Sequence, residues 1–261
     1  MMHTLKHRRS RAAMVIGGIT LLAGLTVAAA PAEAAVPAQA QAQAAAQTAV
    51  PARQGGPAAA DATTTLPGIK TRSASEIARR QAALAARLTM VTSGSPNLTA
   101  ADRTALTTLI TNDQAGLTAL GTKIAADTAL ATAKADHQQI FTGYRVFALA
   151  LPQSRLVRAN DALITVALPR LTDAQTRLVT ALAKAGKTDE AAAKMADLQT
   201  QIAAIRTNTD GLSAKVLGLT PAQWNADHTM LAAPRQSLAS SRTALQKARA
   251  DIVAVKAMLQ S

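Results

Sequence analysis

The chain has 261 residues, with 28 basic against 15 acidic side chains, and no cysteine. Without cysteine there is no disulfide, no lipid-bearing thiol, no zinc-thiolate site and no thiol nucleophile, so stability must come from packing. The net charge of +13 speaks for anionic partners and says nothing of the fold.

Residues 1–34 have the three-part layout of a secretory signal. Lys6, Arg8, Arg9 and Arg11 precede an apolar run from Ala12 to Ala30, and Ala32-Glu33-Ala34 follows helix-breaking Pro31. Cleavage after Ala34 is expected, and with it a secreted, extracellular or cell-wall-associated product. The apolar run is also long enough to serve as an uncleaved anchor. No comparable run follows, so the cleaved form is expected to lack a transmembrane span. Removing Lys6, Arg8, Arg9, Arg11 and Glu33 from 28 basic and 15 acidic residues leaves 24 against 14, a net of +10. In that compartment the expected partner is an anionic cell-wall polymer or an envelope protein, and nucleic acid is not.

Residues 35–70 are rich in Ala, Gln, Pro and Gly. They carry too little large apolar surface to offset the entropy of ordering, which predicts a disordered spacer. Residues 71–261 then form one helical domain.

The pattern from residue 71 is helical almost throughout. It predicts helices near 74–92, 100–135, 153–168, 172–185, 189–217 and 234–260, with Trp224 in a shorter segment. Met195, Leu198, Ile202, Ile205, Thr209, Leu212, Val216 and Leu219 alternate spacings of three and four, as do Leu238, Ser241, Leu245, Ala248, Ile252, Val255 and Leu259. A period of 3.5 suits helices packed at a shallow angle. The expected architecture is all-α, an elongated and mainly antiparallel bundle of about five to six helices with coiled-coil-like seams. Thr99, Thr172 and Thr220, each after a Leu and three residues before Asp or Gln, read as N-caps, and Ser73 with Glu76 reads as a fourth capping box. Pro169 reads as a kink within one long helix or as a divider between two, and the Gly121 region as a further bend.

The inventory beyond residue 34 argues against an enzyme. It holds two histidines, two glutamates (Glu76 and Glu190) and no Gly-x-Ser-x-Gly turn. Gly186-Lys187-Thr188 looks like the end of a phosphate loop, but Ala181 stands where its first glycine belongs and a helical pattern precedes it. Gly186 ending one helix and Thr188 capping the next fits better. His137 and His228 each follow an Asp. Only if both Asp-His pairs met would a metal site form, and no metal or other cofactor is expected.

Three of the four aromatic residues, Phe141, Tyr144 and Phe147, lie within seven positions, beside Arg145, Arg155 and Arg158. Gly143 and Pro152 bracket the stretch, which reads either as a helix with Ile140, Tyr144, Phe147 and Leu151 along one face or, preferred, as an extended crossover; in both its aromatics fill core, with Phe147→Ala costing about 3–5 kcal/mol. The alternative is a groove in which Tyr144 stacks on a ligand and the arginines hold its anionic groups, a small-molecule or metal-binding module that would also use the Asp-His pairs. A second candidate is the ladder Arg235, Arg242, Arg249 and Lys256, spaced by seven beside the last apolar seam. With Arg155 and Arg158 it would bind a polyanion.

Tyr144-Arg145-Val146, Leu156-Val157 and Asn225-Ala226-Asp227-His228, together with the signal segment, resemble a group of uncharacterised secreted all-helical proteins of actinobacteria. The resemblance spans most of residues 98–261 and implies export and a helical fold, with no activity, cofactor or catalytic residue to carry over. The expected function is that of an exported, non-enzymatic helical bundle associated with the anionic cell envelope or a partner protein.

Overall fold

A computed structural model describes residues 65–94 and 97–261. The signal segment and residues 35–64 of the spacer lie outside the described residues. The fold is an all-α helical bundle. Its helices are α1 (Leu66–Thr92), α2 (Ala100–Ala126), α3 (Leu130–Thr142), α4 (Leu151–Ala162), α5 (Leu168–Ala185), α6 (Thr188–Thr209), α7 (Leu212–Leu217), α8 (Pro221–Ala226) and α9 (Ala232–Gln260). Two π-helical turns, Val146–Ala150 and Leu163–Ala167, lead directly into α4 and α5. With the run 146–185 taken as one, the described residues hold six long helices and two of six residues.

The chain start differs from the expectation. Leu66–Lys70, assigned by composition to the spacer, belong to α1, whose N-cap is Thr65 with Pro67 in the first turn. Pro67 needs no backbone donor there and has the φ a helix requires. Ser73 is therefore inside the helix rather than at its cap. It is buried and donates to the Ile69 carbonyl. Thr172 likewise lies inside α5, where it accepts from Arg206. Thr99 and Thr220 do cap α2 and α8, and at Thr220 both bonds of the capping box form with Gln223. Gly186 ends α5 in the left-handed conformation, φ 64°.

Two helices predicted as unbroken are divided. The second ends at Ala126 and resumes at Leu130, while the seam helix pauses at Asp210-Gly211 before α7. Pro169 divides nothing, because α4 and α5 run on through the second π turn. Each turn stands just ahead of a Leu-Pro pair, Leu151-Pro152 and Leu168-Pro169. A proline lacks the N–H that the fourth preceding carbonyl would use, and its ring crowds that carbonyl. Widening the helix by one residue removes the conflict: the Leu151 N–H binds the Val146 carbonyl and the Leu168 N–H binds that of Leu163. The segment 144–151 is thus helical from Val146, a correction to the extended reading. It still carries the chain forward alongside α1.

Helix directions follow from the side-chain pairs. α6 and α9 are antiparallel, with Lys194 beside Asp251 and Lys187 reaching Met258. α4 and α7 are antiparallel too, Gln153 meeting Val216 and Asn160 meeting Ser213. By contrast, α3 and α4 both run parallel to α1. His137 stands by Ser73, Phe141 by Arg80, and Phe147 by Arg79 and Arg80. One apolar cluster extends through all of this, from Leu84, Leu106, Leu117 and Ile140 to Leu198, Ile205, Ala248 and Val255. The seam residues Leu198, Ile202, Ile205, Thr209, Leu212 and Val216 are all buried.

Asp113 on α2 carries the clearest pH signature. Burial pushes its carboxyl from 3.8 up to about 6. The folded protein therefore holds this proton more tightly than the unfolded chain does between about pH 4 and 6. That contribution to stability is lost as pH rises through the window and stays lost above it. Asp113→Asn should melt higher than the parent at pH 7, by about 2–4 °C for each kcal/mol recovered, and its melting temperature should vary less between pH 4 and 6. A lower melting temperature for the variant at pH 7 would contradict this account.

Candidate functional site

The aromatic stretch acts mainly on α1. Arg80, 5% exposed, has its guanidinium 4.5 Å from the centre of the Phe141 ring and 5.4 Å from that of Phe147. It also pairs with Glu76. Arg79 lies 5.1 Å over the outer face of the segment at Phe147 and reaches Glu76 at 2.8 Å. Burial alone would raise the Glu76 carboxyl, but the hydrogen bonds and charges of Arg80 and Arg79 outweigh it and hold the group below its ordinary value. A buried guanidinium is costly unless paired and stacked, and here it is both.

Phe147 is not core. It is 43% exposed, and its ring lies beneath the guanidinium groups of two arginines. Val146, Leu149 and Ala150 supply the buried face of the turn instead. Tyr144, by contrast, is half-buried. Its ring packs over Gly116 so closely that a Cβ there would lie 2.6 Å from it. Only glycine permits this approach. Burial, with a lesser contribution from the Asp113 charge, raises the Tyr144 hydroxyl above its usual range.

Arg145 has φ 47°, and it alone among the described non-glycine residues has a positive φ. A bulky side chain pays for that conformation, and this one is held in place by its partner: its Nε donates to Asn225 Oδ1 at 2.6 Å, while Asn225 Nδ2 donates to the Thr142 carbonyl at 3.0 Å. Tyr144-Arg145-Val146 and Asn225-Ala226, far apart in sequence, thus meet at the end of α3. The Asp-His pairs do not meet. Asp136 binds Lys123 at 2.8 Å and His137 Nδ1 shares a hydrogen bond of 2.8 Å with Ser73. Asp227 accepts from Thr229, and His228 stands edge-on to Trp224. Among the described residues no group of three His, Asp or Glu side chains is placed to hold a metal.

Pattern reading missed the polar face of α4. Gln153, Ser154, Asn160 and Asp161 are all buried. Gln153 Nε2 donates to the Val216 and Leu219 carbonyls at 2.8 Å each, and Asn160 Nδ2 donates to Ser213 at 3.0 Å. Asp161 accepts the Thr99 N–H at 2.8 Å. Burial first, then the adjacent Asp102, push the Asp161 carboxyl up to about 6 against the pull of these hydrogen bonds. The spacing of seven and eight between 153 and 160–161 was the available signal, and the sequence reading took from this stretch only a helix near 153–168.

The basic residues fall into two groups. Arg235, Arg242 and Lys256 are exposed along α9, and Arg249 is half-buried. None of the four makes an ion pair among the described residues, and Asp251, the one acid of α9, is turned inward to Lys194. Arg155 and Arg158 belong elsewhere, beside Arg87 of α1. Burial first, then the charges of Arg155 and Arg158, lower the Arg87 guanidinium from its ordinary value.

The exposure of Phe147 changes its expected cost. Phe147→Ala should destabilise by about 1 kcal/mol, the scale of a partly exposed cation–π contact. Leu149→Ala, at a site 1% exposed, should cost about 2–5 kcal/mol. Urea unfolding of the two variants checks the order, and a larger loss at Phe147 would overturn it.

Comparison with family models, curated proteins and solved structures finds no match to this chain.

Proposed function

We propose that this is an exported, non-enzymatic helical bundle whose folded part binds an anionic polymer of the cell envelope through α9. Export rests on the layout of residues 1–34, and the resemblance to secreted actinobacterial proteins is consistent with it. Binding rests on one observation: Arg235, Arg242, Arg249 and Lys256 repeat every seven residues on α9 and lack acidic partners among the described residues. Successive members rise about 10.5 Å along the axis. Because an α-helix drifts roughly 20° per heptad, the ladder curls gently and can follow a flexible chain of phosphates or carboxylates. Long basic side chains also cover apolar atoms beside a seam, a use that suits half-buried Arg249. That use leaves its charge available.

Two measurements test the reading. Intact mass of the product in culture supernatant should correspond to a chain beginning at Ala35, and retention of Met1 would refute the cleaved form. Binding to a phosphate-rich wall polymer should weaken steeply with salt, because each contact releases counterions. Replacing Arg242 and Arg249 by Gln should reduce the slope of log affinity against log salt by about 1 per contact, with helicity unchanged by circular dichroism. Equal binding by parent and double variant would make the ladder purely structural.

A further inference from the structure

Arg87 differs from every other cation described above. It is only 8% exposed, it makes no hydrogen bond or ion pair among the described residues, and its Nε is buried without an acceptor. Its near charges are also of its own sign. Arg80, one heptad earlier on the same buried face of α1, solves the same problem with a carboxylate and two phenyl rings. Arg87 has neither.

The parallel course of α1 and the run 146–162 explains what stands opposite it. Phe147 lies against Arg79 and Arg80. Seven residues further along α1, about 10.5 Å, is Arg87, and eight and eleven residues beyond Phe147 are Arg155 and Arg158, about 12 and 16 Å on. Three residues apart, those two share one face of α4. Arg155 is exposed and Arg158 half-buried, and neither has an acidic partner among the described residues. The helix register thus brings Arg155 nearly level with Arg87 and Arg158 about one turn further on, and their charges act on a guanidinium whose buried Nε has no acceptor among the described residues.

We propose that Arg87, Arg155 and Arg158 form a receptor for a phosphoryl group, separate from the ladder on α9. A phosphate dianion offers several acceptor oxygens to planar donor forks, which bind it by paired charge-assisted hydrogen bonds. It would give the Arg87 Nε its acceptor and offset the mutual repulsion of the three cations. Arg155 and Arg158, nearer solvent, leave an ester substituent room to extend outward. The ligand is thus the phosphoryl group of a free phosphate ion or of a phosphate ester.

The test uses the purified full chain in a buffer free of phosphate and sulfate, with inorganic phosphate and glycerol phosphate titrated separately by calorimetry and by thermal melting. Saturable one-to-one binding is expected, with a melting temperature that rises with ligand concentration as selective binding to the folded state requires. Arg155→Gln with Arg158→Gln should weaken that binding at least tenfold. The same double variant without ligand should melt at or above the parent, because two repelling charges are gone. Arg242→Gln with Arg249→Gln should leave phosphate binding intact, so failure here and failure of the polymer reading are separable. Equal affinity for the two ligands identifies the free ion as sufficient, while tenfold tighter ester binding shows that the substituent is read as well. No saturable binding by the parent up to about 50 mM, well above the millimolar range of weak specific sites, overturns the proposal. So does unchanged binding by the Arg155/Arg158 variant.

Discussion

The constraint on which this bundle depends is the unpaired backbone at its helix ends. Every α-helix leaves its last carbonyls without internal partners, and a buried end must find them elsewhere. Here cap N–H groups meet many of them, and side chains from elsewhere in the chain meet several more. Lys70 of α1 donates to Ala125 at the end of α2, and Asn225 of α8 donates to Thr142 at the end of α3. Gln153 of α4 takes the Val216 carbonyl of α7, and Lys187 takes that of Met258 in α9. Asp161 does the reverse, accepting the Thr99 N–H where α2 begins. Each such bond fixes how far one helix reaches along another, which an alanine-rich interface cannot do by shape. The lysines gain further from the negative end of the helix dipole.

This arrangement makes α4 the central element. It contacts α1, α7 and α9, and its buried face is polar where other helices are apolar. An amide or carboxyl in the interior is tolerated only when its hydrogen bonds are made. Two atoms of the face, Ser154 Oγ and Asn160 Oδ1, have no acceptor or donor in reach. Exchanging Gln153 for a leucine of similar bulk would remove a polar group but take from the Val216 and Leu219 carbonyls the donor that reaches them from α4. The specificity therefore lies in the carbonyls served, more than in the side chain that serves them.

Periodicity made the fold class readable, because a helix facing a core repeats its apolar residues whatever lies opposite. Thr99 and Thr220 were readable for a related reason: an N-cap is completed within three residues. Ser73 and Thr172 show the same local signature inside helices, since upstream residues such as Pro67 and the run through Pro169 continue the helix past them. The π turns were announced only by the repeated Ala-Leu-Pro at 150–152 and 167–169, whose meaning depends on the carbonyl four residues back. Phe147 was misjudged because aromatic bulk was assumed to go inward. Its partners, Arg79 and Arg80, lie more than sixty positions away, and no local pattern joins them. The triad of Arg87, Arg155 and Arg158 was half visible for the same reason: the pair on α4 shares a face by spacing, whereas the buried member comes from another helix.

Burial separates the functional weight of the basic residues better than their number does. Exposed cations such as Arg235 and Arg242 remain hydrated, so leaving them without partners costs the fold little. Their placement is consistent with a surface that exchanges small counterions for a polymer. Lys123 and Lys194 reach inward to Asp136 and Asp251, where they neutralise carboxylates that burial would otherwise penalise. Arg80 has both a counter-charge and stacked rings. Among the cations of the described residues discussed above, Arg87 alone combines burial, an unmet N–H and neighbours of like charge. Replacing it with an apolar residue of similar length would remove that penalty at no loss of any hydrogen bond or ion pair made within the described residues. A penalty with so simple a remedy is expected where the group serves a ligand rather than the fold. The same logic distinguishes the two proposed anion-binding surfaces: on α9 charge is cheap and extended, suited to many weak contacts, whereas beside α1 it is costly, suited to one compact ligand.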